Sequence, residues 1–163
     1  MPFEEDLIGF LSGSRGLLIV GIGNTTRRDD AAGVRVVTRL RGKVAEGVVL
    51  LDTGTTPENY SSMIKRLEPR RIIFFDAVEM GAEVGTYCFI EEETLVSQTM
   101  STHKQPLSML MKVLREGLPK TAIRLVGIQP KTTDFGFRMS APVNRGVNAL
   151  VDHLLGAMGR VWQ

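Results

Sequence analysis

The chain has 163 residues, of which 43% are hydrophobic and 23% are charged, the balance of a globular protein with one core. Its length predicts a single domain over residues 1–163. The formal net charge is only +2, with cations dispersed among acids, which argues against a nucleic-acid partner. No apolar run approaches the ~20 residues of a membrane span. Since the N-terminus is acidic, unlike a signal peptide, we expect a cytoplasmic protein that does not bind membranes.

Short apolar runs alternate along the chain with segments of helical periodicity. The runs predict five strands, at residues 17–20, 48–51, 71–75, 86–90 and 122–128, the fourth at an edge of the sheet. Helical spacing predicts helices at residues 30–42, 57–67, 106–116 and from Ala141 onward, with Thr56 as the cap of the second and a polar loop before the last. This alternation predicts an α/β fold, a three-layer α/β/α sandwich with a mostly parallel five-stranded sheet.

The single cysteine, Cys88, excludes an intramolecular disulfide and a cysteine-cluster metal site. It lies in the apolar run at residues 86–90. We therefore expect a buried, inert thiol and not a nucleophile.

Polar side chains follow the ends of the predicted strands. Asp29 and Asp30 come after the first strand, Asp52 after the second, Asp76 after the third and Gln129 after the fifth. Ligands of open α/β sheets bind outside the carboxyl ends of the strands, so we expect these side chains at one edge of the sheet.

Most of these acids also have a plain structural interpretation. Asp29 or Asp30 would suit the N-cap of the following helix, and Asp52 would suit a turn. Asp76 is harder to explain, because it ends an Ile-Ile-Phe-Phe run where burying a carboxylate is costly.

His103 precedes the helix that returns to the fifth strand, and it could be a simple hydrogen-bonded imidazole. Together with Asp30 and Asp76 it would form a three-ligand set suited to nickel or zinc, with a position left for water or substrate. The only other histidine, His153, lies in the last predicted helix, and we expect it to be structural.

Five sequence blocks carry a family resemblance. They are residues 23–33 (GNTTRRDDAAG), 52–59 (DTGTTPEN), 76–81 (DAVEMG), 101–107 (STHKQPL) and 127–130 (GIQP). In this order they resemble the motifs of the hydrogenase maturation endopeptidases, above all those that process formate-hydrogenlyase-type hydrogenases. The sequence departs from the family pattern at Arg28 and Ala31, where glycine is usual. Arg28 would narrow or recharge the mouth of the cleft and so affect the choice of precursor.

The resemblance implies an aspartate-dependent endopeptidase that removes the C-terminal extension of a nickel–iron hydrogenase large-subunit precursor once nickel is inserted. It places the catalytic and metal-binding roles on Asp30, Asp76 and His103. The nickel would come with the precursor, and no permanently bound metal is expected. We assign Asp52, Gly54 and Gln129 to substrate binding, and we expect a monomer.

Two other functions stay open at this point. Gly21-Ile22-Gly23 after a strand, with Asp52 ending the next, partly fits a dinucleotide-binding motif. However, Thr26 replaces the third glycine, and two acids would repel a pyrophosphate at the helix start. The other alternative is a nickel-dependent binding protein without hydrolytic activity.

Overall fold

The computed structural model of the chain describes residues 2–97 and 104–163. Five strands form one sheet in the order β2-β1-β3-β5-β4. They are β1 (Leu17–Gly21), β2 (Val48–Asp52), β3 (Arg71–Ala77), β4 (Tyr87–Ile90) and β5 (Ala122–Ile128). All neighbours pair in parallel except β4, which pairs antiparallel with β5 at the edge. The predicted mostly parallel sheet with an edge strand at residues 86–90 is confirmed.

In the part of the chain that the structure describes, six α-helices flank the sheet. They are α1 (Pro2–Leu11), α2 (Ala32–Leu40), α3 (Ser61–Leu67), α4 (Glu92–Ser97), α5 (Lys104–Gly117) and α6 (Ala141–Val161). Alternate side chains of β1 enter different cores: Leu17 and Ile19 pack with α1, α2 and α6, whereas Leu18 and Val20 pack with α3 and α5. Each fully buried side chain of this kind contributes about 2 kcal/mol. The predicted three-layer sandwich is confirmed.

Two of the helices begin differently from the sequence prediction. The segment expected as one helix from Asp30 starts with a 3-10 turn (Arg28–Ala31) before α2, and a second 3-10 turn (Pro57–Tyr60) precedes α3. Thr56 occupies the predicted N-cap position of this second turn, with Pro57 directly after it, but its side chain makes no capping bond. Its backbone N–H donates instead to the Thr53 carbonyl at 3.2 Å, within the turn that follows β2.

Helix α1 was not predicted, because the first residues were considered only as a targeting segment. It buries Leu7 and Leu11 in the core shared with α6. The guanidinium of Arg71, at the start of β3, donates to the carbonyls of Phe10 (2.6 Å), Ser12 and Ser14 (2.6 Å). These bonds satisfy carbonyls around the C-terminal end of the helix and attach it to the sheet.

The predicted burial of Cys88 is wrong, since this residue is exposed. It lies on the edge strand β4, and its Sγ lies 3.4 Å from Met80 Sδ. Partial burial of the thiol nevertheless raises the pKa of Cys88, which disfavours the reactive thiolate. The raised pKa supports the prediction that Cys88 is not an activated nucleophile, although the residue is exposed.

Within residues 2–97 and 104–163, none of the helices combines the length and apolar composition that a membrane span requires.

Candidate active site

Three glycines bring the start of α2 unusually close to the ends of β1 and β3. A Cβ on Gly33 would lie 2.1 Å from the Phe75 carbonyl oxygen and 2.4 Å from that of Ile22. A Cβ on Gly21 would lie 2.5 Å from the Gly33 oxygen, and one on Gly23 would lie 2.0 Å from the Asp30 oxygen. Only glycine permits these approaches, and they set the 3-10 turn directly against the carboxyl edge of the sheet.

Asp30 and Asp76 are the two buried carboxylates of this edge whose role the sequence predicted. Asp76 is 1% exposed and lies in β3 beside Gly127 of β5, while Asp30 is 8% exposed and lies in the 3-10 turn that contacts β3. The Asn24 N–H donates to Asp30 Oδ2 at 3.1 Å. The predicted gathering of these acids at one edge is thus observed.

Asp29 has a different environment from its neighbour Asp30. It is fully buried, and its carboxylate accepts four hydrogen bonds from the segment before α6. The donors are the N–H groups of Lys131 (2.9 Å), Thr132 (3.2 Å) and Ser140 (2.6 Å), and the Ser140 hydroxyl (2.8 Å). Charge-assisted bonds of this number make Asp29 the anchor of residues 131–140.

The N-cap interpretation of Asp29 and Asp30 is wrong for both. The helix-start positions here are Arg27 and Ala31, neither of which makes a side-chain capping bond. The two acids have different contacts: Asp29 holds a distant segment, whereas Asp30 accepts the Asn24 N–H in the loop after β1.

Asp52 adopts the turn role that the sequence left open. Its Oδ1 accepts the Gly54 N–H at 2.9 Å, and Gly54 takes a left-handed φ of +55°. The Gly54 carbonyl in turn accepts the Gly23 N–H at 2.9 Å. The turn after β2 is therefore coupled to the loop that carries Asp30, and its predicted contact with substrate stays a prediction.

Gln129 is 3% exposed and orders the loop that follows β3. Its Oε1 accepts the N–H groups of Met80 (2.7 Å) and Ala82 (3.2 Å), and its Nε2 donates to Glu79 Oε1 (2.8 Å) and to the Pro130 carbonyl (3.1 Å). With its amide committed in this way, Gln129 orders residues 79–82, and its direct contact with substrate stays a prediction.

His103 lies outside the described residues, so the third member of the predicted trio has no described position. In the described ranges, 2–97 and 104–163, no group of three His, Cys, Asp or Glu residues could hold a metal ion. Of the predicted trio, the described residues contain Asp30 and Asp76. His153, by contrast, is placed: its Nδ1 lies 2.6 Å from the Tyr87 hydroxyl and beside the Phe3 ring, in the structural role expected.

The loop after β1 does not form a phosphate cradle. The Ile22 N–H donates to the Phe75 carbonyl (2.9 Å), the Gly23 N–H donates to the Gly54 carbonyl and the Asn24 N–H donates to Asp30. These amides are committed within the protein, and the helix start carries buried acids. Both observations disfavour the dinucleotide-binding alternative.

The segment at residues 131–140 forms a rim of the site that the sequence described only as a polar loop. The Arg28 N–H donates to the Gly136 carbonyl and the Gly136 N–H to the Thr26 carbonyl, both at 2.9 Å, which creates a short parallel bridge. Nothing local in the sequence indicates this pairing, because its partners are more than 100 residues apart.

Comparison with known proteins agrees with this architecture. The family model described as hydrogenase maturation protease matches residues 34–157. A Methanocaldococcus jannaschii protein named as a hydrogenase maturation protease is 31% identical over 95% of this chain and 93% of its own. The hydrogenase 3 maturation protease of Escherichia coli is 29% identical over 87% of this chain and 90% of its own.

A solved structure extends the likeness to three dimensions. The crystal structure of a nickel–iron hydrogenase maturation protease from Thermococcus kodakarensis superposes with a TM-score of 0.85 at 30% identity, over 94% of this chain and 99% of that one. Members of the matched family are peptidases. This finding argues against the alternative of a nickel-dependent binding protein without hydrolytic activity. The chain belongs to the hydrogenase maturation protease family.

Proposed function

We propose that this protease removes the C-terminal extension of a nickel–iron hydrogenase large-subunit precursor after nickel insertion. In this proposal Asp30, Asp76 and His103 recognise the precursor's nickel. The observation that carries it is the pair of buried carboxylates, Asp30 and Asp76, held at the carboxyl edge of the sheet by the Gly33 contact. The site would act in the cytoplasm, where the precursor matures, and as a monomer.

The donor chemistry fits this substrate. Carboxylate oxygens and an imidazole nitrogen suit a borderline divalent ion such as Ni²⁺. Two carboxylates at a largely buried edge attract positive charge more strongly than they would in water, so docking of a cation beside Asp30 and Asp76 would be favourable. A precursor without nickel would bring no such cation. These side chains would therefore distinguish nickel-loaded from nickel-free precursor before the irreversible cut.

The cut itself can follow either of two routes. The substrate's nickel could polarise the scissile carbonyl or activate a water molecule. Alternatively Asp30 or Asp76 could accept the proton of the attacking water as general base. In both routes the turn at Asp52 and Gly54, together with the loop ordered by Gln129, would flank the extended substrate chain.

The test is processing of purified precursor, with and without nickel, followed by mass spectrometry of the large subunit. We expect loss of the C-terminal extension only with nickel and the wild-type protease. Asp76→Ala and His103→Ala should abolish this loss, while Asp152→Ala, which removes an exposed acid of α6, should not. Urea unfolding of each variant establishes that the fold is kept.

Two results would overturn the proposal. One is full processing by both Asp76→Ala and His103→Ala. The other is a stable, nickel-dependent complex in which the mass of the precursor never changes, because that outcome describes a chaperone and not a protease.

A further inference from the structure

Two aromatic side chains stand out from the rim of the site. Phe135 is 74% exposed and Phe137 is 68% exposed, and their rings meet edge to face with centroids 5.3 Å apart. Exposure of this extent removes most of the hydrophobic gain that a phenylalanine ordinarily provides to folding. The stability of the fold therefore does not account for this pair, and contiguous exposed apolar surface commonly marks a binding site.

The rim is held in place independently of the two rings. Gly136, between them, is fixed by backbone bonds to Thr26 and Arg28, and the side chain of Arg27 donates from Nε to the Thr133 carbonyl at 2.9 Å. The four bonds to Asp29 secure the same segment on both sides. The aromatic pair is thus presented on an ordered support, so little conformational entropy would be lost when a ligand binds.

The charge around the pair has one dominant sign. Exposed cations on the two bridged segments are Arg27, Arg28, Lys131 and Arg138, whereas Asp134 is the one exposed acid of these segments. A ligand that offers both apolar side chains and negative charge would complement this surface.

The position of the pair relates it to the proposed catalytic edge. Arg28, which pairs with Gly136, is two residues from Asp30, and each residue of an extended peptide spans about 3.3 Å. A chain whose scissile bond lies at Asp30 and Asp76 can therefore reach the rim within a short stretch.

We propose that Phe135 and Phe137, with the surrounding cations, bind the C-terminal extension of the precursor on the far side of the scissile bond. This inference rests on the proposed function. The extension is the occupant that the surface fits, because it is a short peptide that must pass the catalytic edge and it always ends in an α-carboxylate. The rings would hold its apolar side chains, and the arginines and lysine would attract its carboxylate.

The experiment compares the wild type with Phe135→Ala/Phe137→Ala. For nickel-loaded precursor we expect KM to rise about tenfold with kcat unchanged, since truncating contact aromatics weakens binding without touching the reacting groups. A synthetic extension peptide should inhibit the wild type competitively and the variant about tenfold less well. The same peptide with an amidated C-terminus should bind the wild type more weakly.

The matched control is Leu67→Ala. Leu67 is 43% exposed and ends α3, so it lies toward the opposite edge of the sheet. Its truncation should change neither KM nor the inhibition by peptide. Urea unfolding should show wild-type stability for the double variant, since both rings are largely in solvent.

The outcomes separate this inference from the proposed function. If the wild type fails to process the precursor, the proposed function fails. Direct binding of the extension peptide, measured by calorimetry with the wild type and with the double variant, then still tests the rim. If processing is normal but the double variant keeps the wild-type KM, the rim does not bind the extension. Equal weakening toward a large subunit that lacks the extension would also overturn the inference, because the rim would then contact the folded body of the subunit.

Discussion

Replacing Gly33 with alanine tests the packing that holds the carboxylates in place. Helix propensity alone predicts a gain of about 1 kcal/mol, because Gly33 lies in the first turn of α2. The structure predicts the opposite sign. The new Cβ would lie 2.1 Å from the Phe75 oxygen, whereas an ordinary carbon–oxygen contact needs about 3.3 Å.

The clash involves backbone on both sides, so a change of rotamer cannot relieve it. The start of α2 would have to move by about 1 Å or more, carrying Asp30 away from Asp76. Overpacking of this kind costs about 1–3 kcal/mol, and we expect a net loss near 2 kcal/mol in the free energy of unfolding. A catalytic group misplaced by about 1 Å can cost about 100-fold in rate, and we expect a fall of that order in precursor processing.

The control is Gly156→Ala in α6, where a Cβ meets no atom within 4 Å. It should raise the free energy of unfolding by about 0.5–1 kcal/mol and leave processing unchanged. Urea unfolding and the rate of processing are measured for both variants. Wild-type stability and rate in Gly33→Ala would refute the close-packing explanation of the site.

Two further predictions follow from the remaining contacts. Asp29→Asn should lower the free energy of unfolding by about 2–3 kcal/mol. The amide oxygen cannot accept all four bonds, and the amide NH₂ would face the N–H groups that now donate to the carboxylate. An unchanged urea midpoint would contradict this prediction. Burial, followed by the charges of Asp152 and Glu4, raises the pKa of Tyr87 above its ordinary 10.0. The folded state therefore keeps the Tyr87 proton where the unfolded state loses it, so stability should decline as pH rises above 10.0, and less so in Tyr87→Phe. The stability of both proteins is measured by circular dichroism. An identical decline in the two would show that Tyr87 does not cause it.

The fold could be predicted because its signals are local. Runs such as residues 72–75 are apolar on both faces and are buried on both faces in the sheet. The position of Asp76 followed from the same logic, since a strand that ends in a carboxylate places it at the edge where parallel strands meet.

The division of work between Asp29 and Asp30 could not be predicted, because it depends on partners over 100 residues away. The Ser140 N–H, 111 residues along the chain, is one of the groups that identify Asp29 as structural. The exposure of Cys88 could not be predicted for a related reason. Its local run is apolar, but the exposure of an edge strand depends on which distant elements pack against it.

Arg28 illustrates how a backbone requirement underlies a family motif. Its φ is 43°, in the left-handed region that favours glycine, the residue that the family resemblance implies at this position. A non-glycine residue there costs about 1–2 kcal/mol. The bond from its N–H to Gly136, and its side chain lying over that glycine, help to offset this cost in the present chain.

The long reach of the Asp29 contacts also determines how late in synthesis the rim can be ordered. Chains are synthesised from the N-terminus, at roughly 5–20 residues per second. Asp29 and Asp30 are made early, but the donors that fix Asp29 end at Ser140, and α6 follows it. A nascent chain that already carries both aspartates thus lacks the rim beside them until most of the protein has left the ribosome. The contacts that order the rim therefore form only near the end of synthesis.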